Sequence, residues 1–139
     1  MDHILFDTDV ILDFFFDRKP HSDFTAKTLQ YCQEGKAKGY TTPVIIANTY
    51  YILRKTATHE YVVIKLNQLL DLFEILDMNK SIISLALQSE FKDFEDALQN
   101  YSGETHPNVN IILTRNIKDY KKSKLAIFSP DTYIKGLQK

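Results

Sequence analysis

Ile4–Leu5–Phe6–Asp7–Thr8–Asp9–Val10–Ile11–Leu12–Asp13 is the stretch whose reading decides the fold. An apolar run stops at an acid, a hydroxyl and a second acid, and apolar residues resume at helical spacing through Val10, Ile11 and Phe14. The pattern predicts a buried strand ending at Asp7, with Asp9 at the N-cap of a following helix, accepting from the orphan N–H groups of its first turn. Open α/β folds build their ligand crevice outside the carboxyl ends of parallel strands, so the chemistry is expected at this edge. An acid ending a buried strand is costly without partners, and Asp7 therefore implies a compensating group.

Outward from this stretch, strand and helix signals alternate. Val10–Phe16 reads as a short helix stopped near Pro20. His21–Ser22–Asp23 offers caps to a second helix through Phe24, Ala26, Leu29, Tyr31 and Cys32, with Gly35 just past its end. Gly39–Tyr40–Thr41–Thr42 reads as a strand, and Pro43 opens an apolar helix carrying Val44, Ile45, Ala47, Tyr50, Tyr51, Ile52 and Leu53. That helix is expected against the sheet or against a second subunit, which would make a homodimer. His59–Leu72 is an amphipathic helix, Phe73–Leu76 a strand, and Ser81–Ser89 and Asp93–Leu98 two more helices. Asn110–Thr114 repeats the logic of the first strand and is expected at the centre of the sheet. Ala126–Phe128 is a last short strand, leading to a helix capped by Ser129 with Pro130 in its first turn. Gly103–Asn110, containing Pro107, is the expected mobile loop. The alternation predicts an α/β fold with a central, mainly parallel sheet covered on both faces.

The 139 residues are expected to form a single domain spanning 1–139, with one core. No apolar run reaches the roughly 20 residues of a membrane span, and the N-terminus has no basic segment of a secretory signal. With a lone Cys32, the expectation is a soluble, cytoplasmic protein without membrane association. A net charge of −1 argues against holding nucleic acid by overall charge alone. A local basic face remains, at Arg54–Lys55 or, more densely, at Arg115, Lys118, Lys121, Lys122 and Lys124. His3, His21, His59 and His106 have no metal-ligand spacing. Phe14, Phe15, Phe16, Tyr50 and Tyr51 could stack bases, but their helical spacing beside aliphatics reads as core or dimer interface.

Three segments bring acids to strand ends or an adjoining helix: Asp7 and Asp9; Asp93, Glu95 and Asp96; and Asp119 with Asn116 nearby. Such a gathering repels itself unless a hard cation such as Mg²⁺ or Mn²⁺ takes the oxygens. The plainer reading makes Asp9 and Asp93 helix caps, points Glu95 to solvent and leaves Asp119 on a loop.

Ile4–Asp13, then Asp93–Phe94–Glu95–Asp96–Ala97–Leu98, then Ile111–Ile112–Leu113–Thr114–Arg115–Asn116–Ile117–Lys118–Asp119–Tyr120 resemble, in order and at suitable separation, the motifs of the PIN domain family. The resemblance covers nearly the whole chain. It implies a three-layer α/β/α sandwich and a metal-dependent endoribonuclease hydrolysing RNA phosphodiesters, with an antitoxin protein as partner if the chain is the toxin of a bacterial pair. By position, Asp7 is implied as the first metal-binding acid and Asp96 as the acid of the late helix, supported by Asp93. Asn116 and Asp119 fall where the family places its last ligand, Thr8 and Thr114 would orient these groups, and Arg115 and Lys118 would meet substrate phosphates. The family usually carries a glutamate in the helix after the second strand, where this chain offers Asn48. An amide can ligate through oxygen but brings no charge. Asp9 stands where a neutral residue is more usual and is expected to restore charge as a further metal ligand.

The alternative is a catalytically weak PIN fold that binds RNA or a protein, its site marked by Asn48. A receiver-like phosphoacceptor domain would need a lysine after a late strand, Lys118 or Lys124, and leaves the acids of the Asp93–Asp96 segment unexplained.

Overall fold

The computed structural model describes residues 1–138. Five strands, β1 (Asp2–Phe6), β2 (Ala37–Thr41), β3 (Phe73–Ile75), β4 (Ile111–Leu113) and β5 (Ala126–Phe128), form one sheet in the order β3-β2-β1-β4-β5. Every neighbouring pair is parallel. Around the sheet stand α1 (Thr8–Phe15), α2 (His21–Gln33), α3 (Pro43–Leu53), α4 (His59–Leu72), α5 (Lys80–Gln88), α6 (Phe94–Glu104) and α7 (Pro130–Leu137), making the expected α/β/α sandwich. The chain builds outward from β1 through β2 to β3, then returns to β4 on the other side of β1. The strand order reverses between β1 and β4, so a crevice is expected beyond their carboxyl ends.

Strands buried on both faces need apolar side chains at every position. Ile4, Leu5 and Phe6 of β1 and Ile112 and Leu113 of β4 are wholly buried. β2 admits Gly39 because the Phe73 ring lies where a side chain would begin: a Cβ there would stand 2.5 Å from two ring atoms. A smaller cluster of Ile82, Ala86, Ala97 and Leu98 holds α5 to α6.

Several boundaries differ from the sequence reading for local reasons. The cap of α1 is Asp7, whose Oδ1 accepts the Thr8 N–H at 2.8 Å, because the helix begins directly off the strand and leaves Asp9 inside the first turn. α2 starts at His21 with no side-chain cap, and Ser22 donates its hydroxyl back to Asp17 instead. α3 is capped by Thr42 with Pro43 in its first turn; it buries Ile45, Thr49 and Leu53 and leaves Tyr51 exposed. α6 continues past Leu98 to Glu104. Gly103, expected in a loop, is therefore a buried helical residue packed within 3.0 Å of Leu125, measured from a Cβ position it does not fill.

Candidate active site

Asp7 closes β1 and is buried. Its backbone N–H donates to the Leu113 carbonyl at 3.0 Å, which ties the end of β1 to the end of β4. The residue just past that strand, Thr114, is buried and donates its hydroxyl to Asp7 Oδ2 at 2.9 Å, while its Oγ1 accepts the Asn116 N–H at 3.1 Å. A 3₁₀ turn over Ile117–Tyr120 then brings the wholly buried Tyr120 back beneath the site. The Tyr120 hydroxyl lies 3.2 Å from Asp7 Oδ2 and 3.3 Å from Asp96 Oδ1. One hydroxyl proton cannot serve two acceptors at once. Two carboxylates 89 residues apart thus converge on a single donor.

Asp96 reaches this point from the first turn of α6, whose N-cap Asp93 accepts the Asp96 N–H at 2.9 Å. Burial, then the charges of Asp93, Asp7 and Asp119, push the Asp96 carboxyl up to about 7. Burial also raises Asp7, against the hydrogen bonds from Thr8, Thr114 and Tyr120 that lower it. Burial and the neighbouring Asp7 carry Asp9 to about 6. Asp9 Oδ2 accepts the Arg115 backbone N–H at 3.0 Å, whereas its Oδ1 is buried without any partner.

Asp96 is the wall between two hollows. One, about 440 Å³, is lined by Asp7, Thr8, Asp9, Asn48, Glu95, Gln99 and Asn116 among others. The second, about 540 Å³, is lined by Asp93 and Asp119 together with Lys92, Lys118, Lys121 and Lys122. The residues expected to act together are thereby divided: Asp7, Asp9, Asp96, Asn116, Thr8 and Asn48 share one hollow, and Asp119 and Lys118 lie across Asp96 in the other. Arg115 stands apart. Its guanidinium grips the wholly buried Asp13 with Nε to Oδ2 at 2.6 Å and Nη2 to Oδ1 at 3.0 Å, so the fork expected to meet a phosphate is already occupied. Arg18, 3.4 Å from Asp13, is the cation that lines the acid hollow.

Sequence reasoning missed Tyr120, Gln99, Arg18 and the Asp13–Arg115 pair. Tyr120 directly follows Asp119 in the last motif, and its polar tip on an otherwise apolar body is the signal available. Gln99 lies three residues after Asp96, one turn along a helix that was expected to end at Leu98. It is buried and accepts the Thr42 hydroxyl at 2.6 Å, joining α6 to the cap of α3.

A family model described as the PIN domain matches residues 3–118. The chain belongs to the PIN domain family. A search of the curated proteins returns no match. Among solved structures, this PIN domain is similar to VapBC2 from Rickettsia felis bound to a DNA fragment from its promoter, with a TM-score of 0.67, 19% identity and coverage of 91% of this chain and 97% of that one. It is similar to FitAB bound to an IR36 DNA fragment, with a TM-score of 0.70, 17% identity and coverage of 91% and 94%. PAE2754 from Pyrobaculum aerophilum matches with a TM-score of 0.63 and 14% identity over 99% of this chain and 91% of that one.

PIN domains are typically metal-dependent nucleases, and the residues of this PIN domain suit a divalent ion in their chemistry. The donors are all oxygens, three desolvated carboxylates face one hollow, and the buried Asp9 Oδ1 is orphaned. Among the described residues no three histidine, cysteine or acidic side chains stand as a ready-made ligand shell. Mg²⁺ does not require one, since it commonly takes one or two carboxylates and keeps several waters.

Proposed function

We propose that this PIN domain is a ribonuclease dependent on Mg²⁺ or Mn²⁺, with Asp7 and Asp96 as the carboxylates that hold the ion. The observation that carries the reading is their convergence on the Tyr120 hydroxyl at the wall shared by both hollows. Asp9 and Asn116 add oxygen donors in the same hollow, and Asp119 adds negative charge from across Asp96. A bound divalent ion supplies acidification of water and neutralisation of charge on a phosphodiester. The chain's own residues supply the rest. Thr8 and Thr114 fix Asp7 by two hydrogen bonds, and the Tyr120 hydroxyl that it shares with Asp96 lies 3.2 Å away, so the carboxylate is oriented before the reaction begins. Asp93 holds Asp96 through the backbone of the α6 first turn. Lys118, Lys121 and Lys122 offer positive charge to flanking phosphates of an RNA strand, which a chain of net charge −1 needs locally.

The VapBC2 and FitAB likenesses support a toxin–antitoxin setting, with an antitoxin protein as partner. The exposed apolar residues Tyr51, Leu70 and Ile75, which line one hollow across α3, α4 and β3, support a homodimer.

Incubation of the protein with RNA and Mg²⁺ or Mn²⁺ tests the reading. Cleavage that EDTA stops, and that Asp7→Ala and Asp96→Ala abolish, supports it. No cleavage together with no bound metal contradicts it and favours the second reading, a binding module without catalysis, for which the amide at Asn48 speaks.

A further inference from the structure

The acid hollow contains one pair that the roles of Asp7 and Asp96 do not use. Asn48 on α3 donates its amide N–H to Glu95 Oε2 on α6 at 2.9 Å, joining the two helices through residues 47 positions apart in sequence. Both residues line the hollow beside Asp7, Asp9 and Asp96. Glu95 is exposed, and a glutamate on the first turn of a helix is ordinarily explained by the favourable charge of the helix N-terminus. That explanation requires no tether. An exposed glutamate loses rotamer freedom when it is held, and the partner holding it here gives no charge in return. A lysine at the same position would both reach and neutralise it. Among the described residues no lysine, arginine or histidine pairs with Glu95. The contact therefore keeps the carboxylate aimed without a cationic partner, at the edge of a hollow that three other carboxylates already line. Oriented, uncompensated charge of this kind is what a cation site needs and what a bare surface does not.

We infer that Glu95, positioned by Asn48, is a further acid ligand for the divalent ion, supplying from α6 the charge that α3 lacks at position 48. The inference rests on the metal-dependent reading above. It treats the amide and the acid as exchanged halves of one hydrogen-bonded pair, since a glutamate at 48 and an amide at 95 would make the same bond in reverse.

Calorimetric titration of the full chain with Mn²⁺ tests this without reference to catalysis. Wild type, Glu95→Gln and the double variant Asn48→Glu/Glu95→Gln are compared, with circular dichroism giving the folded fraction of each. Glu95→Gln is expected to bind Mn²⁺ about tenfold more weakly, in the range that lost metal-site partners ordinarily cost. The double variant is expected to recover most of that loss. Wild-type affinity in Glu95→Gln, or a double variant as weak as the single one, overturns the inference while leaving the ion on Asp7 and Asp96. A wild-type protein that takes up no Mn²⁺ overturns the nuclease reading itself, so the two failures are distinct.

Discussion

Replacing Asp96 by asparagine should stabilise the metal-free protein while destroying its use. The Asp96 carboxyl rises from 3.8 to about 7, first through burial and then through Asp93, Asp7 and Asp119. Each unit corresponds to about 1.36 kcal/mol, so full transmission of a shift of roughly 3 units would put ~4 kcal/mol against the ionised fold. Asp96 opens onto both hollows and solvent screens it, which leaves ~1–2 kcal/mol. The sign follows from proton binding. Between about pH 4 and pH 7 the folded state holds the Asp96 proton more tightly than the unfolded chain, so stability is lost as pH rises through that window and is level above it. Asparagine mimics the protonated acid and removes the penalty. In EDTA at pH 8, Asp96→Asn should therefore melt about 3–8 °C higher than wild type, and the gain should shrink toward pH 4. Saturating Mn²⁺ should invert the order, because only the wild type gains the binding contribution. Thermal denaturation followed by circular dichroism, with and without EDTA, reads all of this. A metal-free Asp96→Asn that melts lower than wild type at pH 8, or a gain independent of pH, would refute the electrostatic account of the site.

Arg115→Ala strips the wholly buried Asp13 of its bidentate partner and leaves only Arg18 at 3.4 Å, so it should cost ~3 kcal/mol in urea unfolding with the salt dependence of RNA binding unchanged. A salt slope lower by about 1 with stability intact would instead place Arg115 on a phosphate. Tyr120→Phe removes a hydrogen bond that lowers both Asp7 and Asp96, so both carboxyls rise further and half-maximal Mn²⁺ binding should move to higher pH in calorimetric titrations; an unmoved midpoint would deny Tyr120 a part in the site. Gly39→Ala places a Cβ 2.5 Å from a Phe73 ring that already packs 4.8 Å from Phe6, and should lower the unfolding free energy by ~1–3 kcal/mol in a urea titration.

The strands were legible wherever burial on both faces forced an unbroken apolar run. Ile4–Phe6 and Ile111–Leu113 both end in polar groups, and both lie at the reversal of strand order. Thr42 before Pro43 and Ser129 before Pro130 announced their helices because cap chemistry is local. The cap of α1 was misplaced by two residues because Asp7 and Asp9 offer the same acceptor, and only the abrupt passage from strand to helix selects the first. Among candidate site residues, a gathering of Asp7 with the acids of the Asp93–Asp96 segment was expected from residue types, and Asp96 was singled out among them by the resemblance to the PIN domain family. The arrangement around them was not, because it depends on distant partners: Asp13 with Arg115 across 102 residues, Tyr120 with Asp7 across 113, and Asn48 with Glu95 across 47. Nothing in local spacing marks Arg115 as bound to a buried acid or divides Asp119 from Asp7 by the side chain of Asp96.

Anomalous diffraction from a crystal soaked in Mn²⁺ tests the central claim most directly. The account expects a peak in the acid hollow within ligand distance of both Asp7 and Asp96. A hollow without a peak at saturating Mn²⁺, or a peak that touches neither carboxylate, would contradict it.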